Sequence, residues 1–535
     1  MKRGISLYIS LCLLLSGVLY KIVSLNFSPY AKTGTAYSSK TLLIGETRGN
    51  IYDTNLNKLV SKEEKLVCAA KPGAYSLSYL KNSKIKNKDE LTSQLTKGFP
   101  VIFEVSEMVQ NDDMETFSVP KRYTDNTLCH IIGYTDGTSH GVCGIEKSFD
   151  SFLTDESGSL SVTFDTDANG KVLTGIVPRV TDNNYNSQAG VVLTVDEEIQ
   201  KITEKAMNDS KIESGACVIL SAKDAAISAM VSVPKYSRDN LGDALKGENS
   251  PLVNKALSAY AVGSVFKPVI AAAALENGIK PEREYKCTGS EEIGGIHYSC
   301  NNKTAHGKED LRSALEMSCN AYFVNLSKKL KSEKLYDFCT SLGFSESTEL
   351  CGGIIAESGI FPEADELKNK GEKANFSFGQ GHFTATPVQL AAAYLAIANS
   401  GQYKYPYLIK GTVDRDGIFT ENERKPDSRV MSENTANIIR DDLISVVENG
   451  NAYNAQCSLC TVAGKTGTAQ SGSYDELGNE ILRTWFVGFF PANEPLFSVA
   501  ILSENGTSGA HDCAPVFCEI AENAMKLMIE RANTK

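Results

Sequence analysis

The chain has 535 residues, 42% of them hydrophobic, and a formal net charge of −11. That is enough apolar material for more than one core, since domains usually hold about 100–200 residues. The acidic balance, with no basic block and little interleaving of basic and aromatic residues, argues against nucleic acid as a partner.

Residues 1–25 begin with Lys2 and Arg3, followed by an apolar run from Ile5 to Tyr20 that Lys21 interrupts. About 20 apolar residues span a bilayer, so the stretch reads as a cytoplasmic tip and membrane anchor. No small-x-small cleavage pattern follows the run, which favours an uncleaved anchor over a signal peptide. The charge rule then places everything after it outside the cytoplasm. In such a compartment the 14 cysteines suggest disulfides, and Cys287/Cys300, Cys457/Cys460 and Cys513/Cys518 are close enough in sequence to pair. Cys457 and Cys460 have the spacing of half a zinc site but no second ligand pair, so neither a metal nor another cofactor is expected.

A polar stretch with no apolar periodicity follows and contains Lys32-Thr33-Gly34-Thr35-Ala36, which reads as a tether. Residues 48–60 alternate briefly and close on Asp-Thr-Asn turn chemistry, the pattern of a hairpin. Residues 26–190 mix short strand-like runs with one helical segment and form one smaller α+β domain.

A larger domain spans 191–535. It opens on a helix that Thr194 or Asp196 can cap, then two apolar runs split by Ala222-Lys223-Asp224, a hairpin signature. Further on, Thr386, Pro387, Gln389 and Gly401 supply the cap, first turn, capping box and stop of a helix apolar nearly all round. Strand-like runs return at 460–504 and a helix closes the chain. Strands at both ends of the domain imply a sheet in which one end pairs with the other.

Three short motifs lie in this domain. Ser264 and Lys267 stand three residues apart at the start of an apolar helix, hence on one face. A serine hydroxyl needs a base within reach, and a lysine serves once burial or a neighbouring cation, such as Lys465, lowers its pKa. Ser318 and Asn320 follow about 54 residues later and offer a hydroxyl to pass protons and an amide to hold a peptide. About 147 residues beyond, Lys465-Thr466-Gly467-Thr468 repeats the tether sequence on a strand, where glycine lets another backbone approach. The other Ser-x-x-Lys matches, Ser78/Lys81 and Ser83/Lys86, fall in a lysine-rich solvated segment. The histidines, including His306, read as structural or surface residues. Trp485 reads as core, and Gln380 as either a cleft or a turn residue.

The order and spacing of these motifs resemble those of class B penicillin-binding proteins, and the likeness runs through 48–53, 130–134, 144–153, 193–200, 378–381, 386–391, 484–491 and 514–517 in the family's order. Thr54, Val262 and Ala225 depart from the usual family residues, and none is a catalytic position. The resemblance implies an α/β multidomain chain with a membrane helix, a pedestal, and a transpeptidase domain whose mainly antiparallel sheet is sandwiched by helices. It implies a peptidoglycan D,D-transpeptidase at the bacterial cell membrane that cross-links stem peptides ending in D-Ala-D-Ala and is acylated by β-lactams. Ser264 would be nucleophile, Lys267 base, and Ser318 a proton relay. Asn320 would hold the donor peptide, Lys465 would supply positive potential, and Thr466 and Thr468 would bind the terminal carboxylate beside Gly467. The N–H groups of Ser264 and Thr468 would form the oxyanion hole. A SEDS-type membrane glycan polymerase is the implied partner. The alternatives are a catalytically idle penicillin-binding scaffold and a β-lactamase-type hydrolase.

Overall fold

The computed structural model describes residues 2–26, 38–474 and 477–534, so the tether copy of Lys-Thr-Gly-Thr-Ala lies outside the described residues. Helix α1 (Lys2–Asn26) forms where the apolar run predicts a helix. No helix among the described residues is long and apolar enough to cross a membrane.

The chain divides into two compact units: 1–48, 61–122 and 157–187 in the first, and 49–60, 123–156 and 188–535 in the second. In the first, strands Ser38–Thr47, Gly158–Thr166 and Arg179–Asn183 make one antiparallel sheet, and Val101–Val105, Glu63–Ala70 and Met114–Lys121 another. Strand Gly158–Thr166 alternates buried and half-buried residues throughout, the period-2 mark of a sheet with one face on a core.

The second unit is built on a five-stranded antiparallel sheet. Its strands are β1 (Gly215–Ser221), β2 (Ile227–Val233), β3 (Ala463–Tyr474), β4 (Glu480–Phe490) and β5 (Phe497–Gly506), in the order β2-β1-β5-β4-β3. The C-terminal strand β5 pairs with the N-terminal strand β1, Ala500 opposite Val218. β3 is the edge strand and pairs within the sheet only with β4.

Helix α2 (Glu197–Asp209) and the terminal helix α7 (Ala514–Asn533) cover one face. Asp196 caps α2 through the N–H groups of Glu198 and Ile199, while Arg531 of α7 donates to both its carboxylate oxygens at 2.6 and 2.9 Å. Thr194, the other candidate cap, instead donates its hydroxyl to the Ile227 carbonyl. On this face Phe517 of α7 meets Phe486 and Phe490 of β4. On the opposite face lie α3 (Lys267–Glu276), α4 (Asn320–Ser327), α5 (Pro387–Ala398) and α6 (Glu433–Glu448). α5 is buried along its whole length, its capping box of Thr386 and Gln389 is formed, and Ser498 of β5 donates to its Ala391 carbonyl. An all-round apolar helix of this kind belongs in a core.

Residues 48–60 close through a Tyr52–Lys58 bridge, with Asp53 Oδ1 accepting from the N–H groups of Asn55 and Asn57. Strand Asn50–Tyr52 then pairs in parallel with Gly190–Leu193.

The β1–β2 turn holds Ala225 at φ 61°, a left-handed conformation that costs a residue with a Cβ about 1–2 kcal/mol. Ala225→Gly is therefore expected to raise stability by about 0.5–1 kcal/mol after glycine's entropic penalty. Chemical denaturation measures this, and an unchanged midpoint would mean the turn carries no such strain.

Candidate active site

Ser264 lies in a short 3₁₀ turn, Gly263–Phe266, that runs directly into α3. Gly263 sits at φ 67° and donates its N–H to the Gly379 carbonyl at 2.7 Å. A Cβ on Gly379 would fall 2.1 Å from the Gly263 carbonyl oxygen, so two glycines allow the turn to nest against the 378–381 loop. From below, Tyr394 of α5 donates its buried hydroxyl to the Val265 carbonyl at 2.7 Å. The turn is thus tied down on two sides, and Ser264 remains half-buried with its Oγ facing the cleft.

Lys267 is fully buried one turn later, and its Nζ reaches four oxygens. They are Ser264 Oγ at 2.8 Å, Ser318 Oγ at 3.0 Å, the Ser318 carbonyl at 2.8 Å and Asn320 Oδ1 at 2.7 Å. The orientation of the Asn320 amide is fixed because its Nδ2 donates to the Ser299 carbonyl at 2.9 Å. Burial pushes the Lys267 amine down to about 7, against the opposing pull of Cys319, Cys300 and Glu309. The lowering comes from burial; a Lys465 cation is not among its causes.

The edge strand β3 closes the site from the other side. Lys465 is fully buried and donates to the Thr466 carbonyl. Burial, then the nearness of Lys267, holds it well below an ordinary lysine. Thr466 donates its hydroxyl to Asn451 Oδ1 at 3.0 Å, whereas Thr468 is exposed on the cleft. A Cβ on Gly467 would lie 3.0 Å from Val265 Cγ1 and 3.2 Å from the Val262 carbonyl oxygen. Glycine at this position allows the strand to lie against the Ser264 turn.

All the sequence-derived site residues therefore converge. Ser264, Ser318, Asn320, Thr466, Gly467 and Thr468 line one cavity of about 680 Å³, with Lys267 and Lys465 buried in its wall. Gln380 lines it as well, and Trp485 is core, its Nε1 donating to the Ala261 carbonyl. Lys81 and Lys86, the lysines of the other two Ser-x-x-Lys matches, are exposed in the first unit.

Sequence reasoning missed two groups. Asn451 and the backbone of Ser299 belong to no recognisable motif and take part only through the fold. The second group is Cys287, Cys300, His306 and Cys319, whose ligand-type atoms all lie within 4.8 Å of one another. Its spacings match no recognisable metal motif, and Cys319 stands between Ser318 and Asn320. All 14 cysteines are free thiols, and of the three suggested pairs Cys513 and Cys518 face different partners, Thr484 and the Gln456 carbonyl.

Several known proteins are similar to this chain. The family described as "Penicillin binding protein transpeptidase domain" matches residues 215–522, more than half of the chain. The chain belongs to the penicillin-binding transpeptidase family. It is 31% identical to the stage V sporulation protein D of Bacillus subtilis over 75% of its own length and 62% of that protein. Against the peptidoglycan D,D-transpeptidase FtsI of Escherichia coli it is 28% identical, covering 76% of this chain and 67% of the other. The crystal structure of penicillin binding protein 3 from Mycobacterium tuberculosis complexed with ampicillin superposes with a TM-score of 0.66, at 25% identity over 92% of this chain and 96% of that one. The chain thus spans a little under two thirds of the sporulation protein's length.

Gly467→Ala must displace either β3 or the Ser264 turn by a few tenths of an ångström. Acylation by a fluorescent penicillin is expected to slow about tenfold or more, with thermal stability little changed; an unaltered rate would mean that this close approach does not set the site.

Proposed function

We propose that this protein is a peptidoglycan D,D-transpeptidase working through a serine acyl-enzyme. The observation that carries the reading is the set of partners around Lys267. A neutral amine has two N–H groups and one lone pair. Two of its neighbours, the Ser318 carbonyl and Asn320 Oδ1, can only accept, and they take the two N–H groups. The lone pair is left for a hydroxyl proton, and Ser264 stands at 2.8 Å. This is a base aimed at a nucleophile, with a pKa matched to neutral pH.

In this mechanism Lys267 takes the Ser264 proton as Oγ attacks the carbonyl of the penultimate D-alanine in a stem peptide. The N–H groups of Ser264 and Thr468 receive the oxyanion. The proton passes by way of Ser318 to the nitrogen of the departing D-alanine, which leaves an ester on Ser264. An amine from a neighbouring strand then attacks that ester, forming the cross-link and freeing the serine. Asn320 holds the donor peptide amide. Thr466 and Thr468 hold the terminal carboxylate, whose charge favours protonation of Lys465 and so makes it the local source of positive potential. A β-lactam enters by the same steps.

Residues 191–535 carry this chemistry and 26–190 act as the pedestal, with 49–60 and 123–156 packed into the catalytic unit. The apolar run within residues 1–25 anchors the chain at the bacterial membrane by one pass, with the catalytic residues on the outer side. Support for the anchor comes from its exposed apolar side chains, among them Leu11, Leu13, Leu14, Val18 and Leu19. Anchor and pedestal together are the surfaces offered to a SEDS-type polymerase.

Incubation with benzylpenicillin followed by intact-mass measurement and peptide mapping is expected to place one long-lived adduct on Ser264. Ser264→Ala should abolish it, and Lys267→Ala should slow its formation about 10²–10⁴-fold. No adduct would favour an idle scaffold, and loss of the adduct within seconds would favour a hydrolase.

A further inference from the structure

We propose that Cys287, Cys300, His306 and Cys319 bind one zinc ion, and that this ion holds the Ser-x-Asn turn in place against Lys267. The metal assignment stands on geometry alone, whereas the positioning role rests on the transpeptidase reading.

The spacing of the donor atoms is the first observation. Cys287 Sγ lies 3.8 Å from Cys300 Sγ, Cys300 Sγ lies 3.7 Å from Cys319 Sγ, and Cys287 Sγ lies 3.5 Å from His306 Nδ1. A disulfide needs sulfurs about 2.05 Å apart. Sulfurs at the corners of a tetrahedron around zinc, each at about 2.3 Å, stand about 3.8 Å from one another. The three thiols are buried, and the His306 side chain is only 8% exposed. Three soft sulfurs and one imidazole, four donors in all, are the set that selects zinc over hard, six-coordinate cations.

The second observation is Glu309. Its side chain is 2% exposed, and neither carboxylate oxygen has a hydrogen-bond partner. Oε1 faces His306 Nδ1 at 3.5 Å. A buried carboxylate that finds no hydrogen-bond partner is costly, and as a neutral acid it would donate to a thiolate of the metal centre.

The local fold gives the ion a task. Between residues 285 and 309 the chain forms two ribbons of two strands, each strand only three or four residues long. Ribbons this small are not stable alone in water. Cys287 ends the first strand, Cys300 follows the third, and His306 precedes the strand that pairs back on Cys287. Cys319, the cap of α4, is the fourth corner. One ion thus staples both ribbons to the helix.

Two of these ligands adjoin the groups that touch the catalytic amine. Cys319 lies between Ser318 and Asn320, both bonded to Lys267 Nζ, and Cys300 follows Ser299, whose carbonyl orients the Asn320 amide. Ser318 itself sits at φ 56°, a conformation that the surroundings must impose on a non-glycine residue. A rigid cross-link from one side of this turn to the ribbon beyond it imposes it.

The test uses the full chain purified in detergent from cells grown with zinc sulfate. Elemental analysis after dialysis is expected to give about one zinc per chain, in the wild type and equally in Cys457→Ser. Cys300→Ser should retain little. If that variant does not fold, cobalt exchanged into the wild type should show the charge-transfer absorption of several thiolate ligands. A folded wild-type chain without zinc, full zinc in Cys300→Ser, or a mass lower by two hydrogens with Cys300 and Cys319 linked would each overturn the site. Removing zinc with a chelator should slow acylation by benzylpenicillin about a hundredfold, and added zinc should restore it. An unchanged rate would overturn the positioning role alone. A zinc-loaded chain that is never acylated would instead contradict the transpeptidase reading and leave the metal site standing.

Discussion

A lysine amine without access to water has to find its partners inside the protein, and here it finds four oxygens from three residues on two segments of chain. Ser264, Ser318 and Asn320 all meet at Lys267 Nζ. Charging that amine in its buried site costs on the order of 5 kcal/mol more than charging it in water. The neutral form is the one that can take a proton, so the burial that looks expensive is what makes the group useful. Much of the second unit can be understood as the scaffold that keeps water away from this one nitrogen.

That scaffold works by close approach. The sheet presents its edge strand, β3, to the Ser264 turn, and glycine at 467 allows contact at backbone distance. Tyr394 and Gly379 fix the turn from two other sides. Trp485, directly opposite Gly467 on β4, donates to the Ala261 carbonyl and so ties β4 to the segment leading into the turn. Thr466 and Thr468 then face a cleft whose opposite wall holds Ser318 and Asn320, so a ligand laid along β3 meets Ser264 with Lys267 behind it.

The parts of this arrangement that rest on local patterns could be read from the sequence. The cap, capping box and apolar surface of α5 are all set by residues within one turn of each other, and the structure contains them. Ser264 and Lys267 share a face because three residues nearly complete a helical turn. Their meeting with Ser318, Asn320 and Lys465 was legible only through the resemblance of the motifs to a family, since no local rule joins segments so distant. Asn451, Tyr394 and the Ser299 carbonyl were not legible at all, because each contributes an ordinary group that matters through tertiary position. The cysteine cluster was missed for a related reason: its ligands are spread over three segments, and pairing by sequence proximity pointed to disulfides. Thr194 offered a plausible cap, but its hydroxyl found a carbonyl on a neighbouring strand.

Burial holds Lys267 near a midpoint of about 7, so a large share of it is the neutral amine at neutral pH. NMR titration of protein carrying carbon-13 in its lysine ε-carbons, with Lys267→Met used to assign the signal, tests this most directly. A midpoint of about 7 is expected for Lys267, with the neutral form gained as pH rises through that value. A signal that stays protonated until the ordinary lysine range, near 10.4, would contradict this and leave no neutral amine beside Ser264.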